Sequence, residues 1–142
     1  MDHVVYLDSK ANELENLLCG IKTMIIRGAT GRKMPYGGVE KDDQLYFINN
    51  NGEGVFKAKA VVESVLNSEK LTKEESISLI EKYQEKLQLS MKQKEKWGGK
   101  RYLVLIEVSK IEKIEPFEFD KSPYNNKMDD WLPVKNILEV KK

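Results

Sequence analysis

One cysteine and one histidine in 142 residues exclude several common chemistries. Cys19 alone cannot form an intramolecular disulfide, and a single thiol beside an apolar helical stripe is expected to be structural, in a reducing cytoplasm. His3 and Cys19 are too few and too far apart for a zinc set, so no metal or other cofactor is expected. With His3 the only histidine, neither a Ser-His-Asp nor a Cys-His catalytic set can be assembled in its usual form. Asp129 and Asp130 are adjacent, and neighbouring carboxylates diverge rather than pair on a metal. Excess charge is also missing: 24 basic and 23 acidic residues leave a net charge of +1, with no global field to drive the chain onto nucleic acid or an anionic membrane. No apolar run is long enough for a signal peptide or a membrane span, which leads to the expectation of a cytoplasmic protein without membrane contact. Internal repeats and low-complexity linkers are absent too. The chain reads as one domain over 1–142, a monomer with its core to about residue 119 and a tail (120–142) that docks through Trp131.

What charge there is lies unevenly. Gly20 to Val39 carries four Lys or Arg and no carboxylate, and Met91 to Tyr102 carries five cations against one Glu. A near-neutral protein can therefore still offer a polyanion one basic face. His3–Leu7 reads as a first strand, followed by a helix capped by Asp8 or Ser9, with Leu14, Leu17, Leu18 and Ile21 on its apolar stripe. Gly20 sits where the helix end wants a left-handed residue, and Met24-Ile25-Ile26 begins the next strand. Residues 28–38 form a long glycine-bearing loop, either a functional one or a surface excursion. Gln44–Ile48 and Val55–Val62 form a hairpin, with Phe56, Ala58, Ala60 and Val62 alternating inward. Thr72 and Glu75 make a capping box for a second helix whose apolar face (Ile77, Ile80, Tyr83, Leu87, Met91) runs to about Lys96 before Gly98-Gly99. Tyr102–Val108 is a further strand. Mixed short strands with two principal flanking helices give an α+β domain whose strands curl into a small barrel.

Three groups of residues carry candidate chemistry. Lys22 and Arg27 flank the Met24-Ile25-Ile26 run and are suited to a phosphate or a polarised carbonyl, although five positions along one strand place them on opposite faces unless the turn reorients Lys22. Arg32, Lys33 and Tyr36 in the loop offer guanidinium and phenol surfaces for unpaired bases. Lys96, Trp97, Lys100 and Arg101 interleave cations with an aromatic ring, the composition of a single-strand binding surface, though cations are also expected at a helix C-terminus.

The spacing Gly20-x-Lys22-x-x-x-x-Arg27 resembles the signature of the ASCH domains, a branch of the PUA-like superfamily of small β-barrels. His3-Val4-Val5-Tyr6-Leu7 is similar to that family's first strand, as it stands in uncharacterised archaeal members. Lys41 to Phe47 is similar to the family's K-x-G-D-x-L-x-F strand entry, with Asp42 where glycine is usual. The resemblance implies a PUA-like mixed β-barrel that recognises single-stranded or modified RNA, or a modified nucleoside, in a cleft at the barrel mouth. One ASCH branch deacetylates N4-acetylcytidine with the motif lysine, a threonine three residues later and a glutamate. Lys22 matches, but the threonine position holds Ile25, which has no hydroxyl. Thr23 is out of register and Glu63 is the candidate acid or base, so the set Lys22, Thr23, Glu63 makes amidohydrolase activity the alternative to binding. A protein-interaction adaptor working through the Trp131 tail is the third reading.

Overall fold

In a computed structural model residues 1–124 and 130–142 are described, so Asp129 lies outside the described residues. Six strands form one sheet: β1 (Asp2–Leu7), β2 (Met24–Ala29), β3 (Gln44–Asn49), β4 (Val55–Asn67), β5 (Tyr102–Glu118) and β6 (Trp131–Val134). Their spatial order is β2-β5-β4-β3-β1-β6. All neighbouring pairs are antiparallel except β1 with β3. The sheet curls into a half-barrel whose terminal strands, β2 and β6, share no backbone ladder. The expected barrel is therefore open along one seam.

Alternation builds the interior. Ala58, Ala60 and Val62 of β4 line the interior with the period of two, but a bulge at Lys57 turns Phe56, expected with them, to the opposite face beside Val4 and Ile48. Val5, Leu7, Ile25, Leu45, Phe47, Val104, Ile106 and Trp131 pack in the cluster that fills the half-barrel, and α1 (Glu13–Leu18) adds Leu14 and Leu17. On the other face of β2 and β5, Met24, Ile26, Leu103 and Leu105 are covered by Ile80, Leu87 and Trp97 from the helices. A third cluster gathers Val4, Ile48 and Phe56 with Phe119, Val134, Ile137 and Val140, so the C-terminal residues seal that side.

Several local expectations are corrected. The single long helix from Thr72 is three: α2 (Lys73–Lys82), α3 (Gln84–Leu87) and α4 (Met91–Trp97). Gln88 adopts a left-handed φ of 48° and Ser90 opens α4 with a second capping box onto Gln93, so Met91 points to solvent instead of continuing the stripe. Among the described residues the α-helices number four, not two. The first helix starts at Glu13, later than an Asp8 or Ser9 cap implies; Asp8 Oδ1 instead accepts from Ala11 N at 3.2 Å in the preceding turn. It ends by Leu18, leaving Ile21 exposed, and Gly20 turns the chain at φ +82°. Cys19, expected within the packing, is exposed. Asp42 has φ +74°, a left-handed backbone that glycine adopts more readily than a side-chain-bearing residue.

Candidate functional site

Strand parity decides where the basic residues of the β2 region go. Ile25 and Arg27 face the half-barrel interior, while Met24 and Ile26 face the helices. Arg27 therefore projects into the open seam. Its Nη1 donates to Ile26 O at 2.7 Å and its Nη2 to Tyr6 O on β1 at 2.6 Å. Its Nε lies 2.9 Å from Asp130 Oδ2, an ion pair whose N–H is not aimed along the contact. The guanidinium also sits 5.6 Å above the Trp131 ring at the start of β6. One side chain thus links the two strands that the backbone leaves unpaired.

A cleft of two lobes opens on either side of this link. Arg27, Lys96, Trp97 and Asp130 line both. The first lobe, 380 Å³, adds Lys33, Tyr36, Lys100 and Tyr102. The second, 260 Å³, adds Asp8, Ser9, Glu13, Asn50 and Gln93. One lobe is mainly cationic, and the other offers carboxylates and amides.

The long loop forms a wall of the first lobe. Tyr36 Oη donates to Ser68 O at 2.6 Å, Gly37 N donates to Asn67 Oδ1 at 3.0 Å, and Tyr36 meets Tyr102 edge-on at 5.6 Å. The Arg32 guanidinium lies over both rings, at 5.8 and 5.5 Å, and does not line the cleft. Gly28 permits the close packing beneath, since a Cβ there would stand 2.7 Å from Leu103 Cδ2 and 3.2 Å from Lys100 Cβ. From α4, Trp97 is held in the helical cluster with the Lys96 ammonium 4.7 Å from its ring. Arg101 is exposed and outside the lining; its carbonyl accepts from Leu71 N.

Lys22 is not at the mouth. It is 1% exposed, its ammonium donating to Leu87 O and lying 3.6 Å from Glu13 Oε2. The turn after Gly20 folds it inward, resolving the parity question in favour of burial. Burial pushes the Lys22 pKa down, Glu13 pulls it partly back, and Arg27 adds to the depression. Glu13 in turn accepts from Gln93 Nε2 at 3.1 Å. A second buried polar chain crosses the half-barrel: Trp131 Nε1 donates to His3 Nδ1 at 3.0 Å, and His3 Nε2 lies 2.9 Å from Asp43 Oδ2. Burial lowers the His3 pKa despite the Asp43 carboxylate. Burial alone would raise Asp43, but the Glu40 N–H and His3 outweigh it and hold the carboxyl below its usual range.

The structure therefore brings together Arg27, Lys33, Tyr36, Lys96, Trp97 and Lys100, and leaves Lys22, Arg32 and Arg101 out of the lining. Thr23 spends its backbone groups on Lys86 and Val108, and exposed Glu63 accepts from Ser109 Oγ at 2.7 Å. Neither lines the cleft. Sequence reasoning missed Glu13, Gln93 and Asp130. The Ser90–Gln93 capping box was a readable signal for Gln93; pairing Glu13 with Lys22 needed the tertiary structure. Among the described residues no group of His, Cys, Asp and Glu is placed to hold a metal, and no helix is long and apolar enough to cross a membrane.

No protein-family model and no curated protein matches the sequence. Solved structures do match the fold. The crystal structure of an ASCH protein from Zymomonas mobilis aligns over 99% of this chain and 96% of its own, at 14% identity and a TM-score of 0.70. Two single-residue mutants of it align at 14% identity with TM-scores of 0.70 and 0.68, covering 99% and 95% of this chain and 99% and 89% of theirs. These structures, all from Zymomonas mobilis, lend no support to the archaeal likeness expected of the opening strand. From end to end, the chain has the mixed half-barrel fold of these ASCH structures.

Proposed function

We propose that the protein is a PUA-like ASCH module, a cytoplasmic monomer of one domain, that binds single-stranded or modified RNA in the two-lobed cleft. The observation that carries this reading is the convergence of Lys33, Lys96 and Lys100 with Tyr36 and Trp97 around Arg27, from two separate chain segments. The lysines supply phosphate contacts, Arg27 a fixed guanidinium on the cleft floor, and the second lobe room for a base edge facing Asn50, Gln93 and Asp8. Arg32 acts indirectly, by bracing Tyr36. Lys22 supports the floor rather than touching ligand.

Three lysine–phosphate contacts at about 0.7 each give a log–log salt slope near −2, or about 20-fold weaker binding between about 50 and 200 mM salt. Fluorescence anisotropy with a labelled single-stranded RNA measures it. Absence of binding at low salt, or Lys96→Ala and Lys100→Ala variants with the wild-type slope, would refute the role. Incubation with N4-acetylcytidine, read by mass loss of the acyl group, checks the alternative. No turnover is expected, because Ile25 is sealed in the core and Glu63 faces solvent.

A further inference from the structure

His3, the only histidine, is fully buried on β1, and both of its ring nitrogens are engaged. An indole N–H can only donate, so the 3.0 Å contact from Trp131 Nε1 makes His3 Nδ1 the bare acceptor. The ring proton then sits on Nε2, directed at Asp43 Oδ2 2.9 Å away. A second proton has one place to go, Nδ1, where it would confront the indole N–H donor to donor. The neutral ring and the Trp131 contact therefore require each other.

The two sides of the ring respond oppositely to that proton. Toward Asp43 the hydrogen bond becomes charge-assisted and tightens. Asp43 is itself fixed, by the Glu40 N–H at 3.0 Å and by the α-amino group 3.5 Å from its other oxygen. Toward Trp131 an attraction becomes a repulsion. The other charges bearing on the pair are Asp2, next to His3 in the chain, and Arg27, whose guanidinium lies 5.6 Å from the Trp131 ring and is paired with Asp130. β6 is the element able to yield. It is an edge strand of four residues laddered to β1, and Pro133, opposite His3, brings no N–H to that ladder. β1, by contrast, also pairs with β3 over six positions.

We propose that His3 is a proton-operated latch: protonation at Nδ1 expels the Trp131 indole, frees the start of β6 and withdraws Trp131 and Asp130 from Arg27. Because Asp130 lines both lobes of the cleft, release removes a wall residue that the lobes share. Val134, Ile137 and Val140 stay docked in their own cluster, so the opening is local. Burial holds the His3 pKa below its ordinary 6.5 while the latch is closed, and release restores it, so acid favours the open form. One proton shifts the ratio of open to closed by at most about tenfold per pH unit. The latch is read without RNA, so it stands or falls apart from the role of the cleft.

Acrylamide quenching of Trp131 fluorescence in a Trp97→Phe chain, between about pH 7.5 and about pH 5, tests the latch. Trp131 should pass from shielded to accessible in a one-proton transition below pH 6.5, with the circular dichroism of the folded chain retained. In the unaltered protein, nitrogen NMR of the single imidazole should show Nδ1 bare at neutral pH and titrating at the same midpoint. Trp131→Phe removes the opposing donor and should raise that midpoint by about one pH unit, a tenfold gain in proton affinity. A proton on Nδ1 at neutral pH overturns the proposal, as does a His3 midpoint unmoved by Trp131→Phe. So does Trp131 exposure that is absent, or that comes only with loss of the circular-dichroism signal. The imidazole measurement uses the unaltered chain, so it decides even if a variant folds poorly.

Discussion

Replacing Lys22 by Met tests whether the motif lysine is a ligand contact or a buried strut. Its ammonium and the Glu13 carboxylate are both almost fully buried, 3.6 Å apart, and the ammonium also satisfies Leu87 O. Removing one partner of a buried ion pair strands the other charge and costs about 3–5 kcal/mol. At about 2.1 cal/mol/K per residue, 142 residues give an unfolding entropy near 300 cal/mol/K at the midpoint. The expected fall in Tm is therefore about 10–17 °C, read by circular dichroism or calorimetry. Adding Glu13→Gln to Lys22→Met should recover part of the loss, since the stranded charge is then gone. The pH dependence gives an independent sign. Burial lowers the folded-state pKa, so the unfolded chain holds the proton over the window between that value and the ordinary 10.5. Across this window the Lys22 contribution makes stability rise with pH, and Lys22→Met should abolish that rise. Below its transition the variant should bind RNA as the wild type does. An unchanged Tm combined with lost RNA binding would refute the burial argument and restore Lys22 to the ligand site.

Other expectations follow from single features. The folded-state pKa of His3 lies below its ordinary 6.5, so its contribution to stability is complete above that pH and is lost as pH falls toward the folded value, by at most about 1.4 kcal/mol per pH unit; His3→Gln should remove this slope in pH-resolved urea unfolding. Phe56→Ala removes a fully buried ring that meets Tyr46, Phe117 and Phe119, and should cost about 3–5 kcal/mol in chemical denaturation. Asp42→Gly relieves a positive φ and should stabilise by up to about 1 kcal/mol, visible as a higher Tm. Ser90→Ala removes the α4 cap and should cost about 1 kcal/mol, with Gln93 and hence Glu13 less well held.

Local signals in the chain determined most of the elements. The alternation of Ala58, Ala60 and Val62, the capping box at Thr72 and the turn at Gly20 each act within a few residues, and each appears where those rules place it, whereas Phe56 is turned to the other face by a bulge. The ASCH likeness read from Gly20, Lys22 and Arg27 agrees with the fold of the Zymomonas mobilis structures. Tertiary structure decided the rest. Periodicity could not see that Gln88 breaks the second helix, because the apolar stripe continues in sequence while the backbone turns left-handed. Nor could it assign Lys22 and Arg27 to separate environments, since the same positive charge is tolerated at a floor or in a core according to its partners. Those partners, Glu13 and Leu87 for Lys22 and Tyr6, Asp130 and Trp131 for Arg27, come from remote segments. The open seam between β2 and β6, and the cleft it creates, exist only once six strands are ordered in space, because a strand's neighbours are set by the whole chain and not by its own residues.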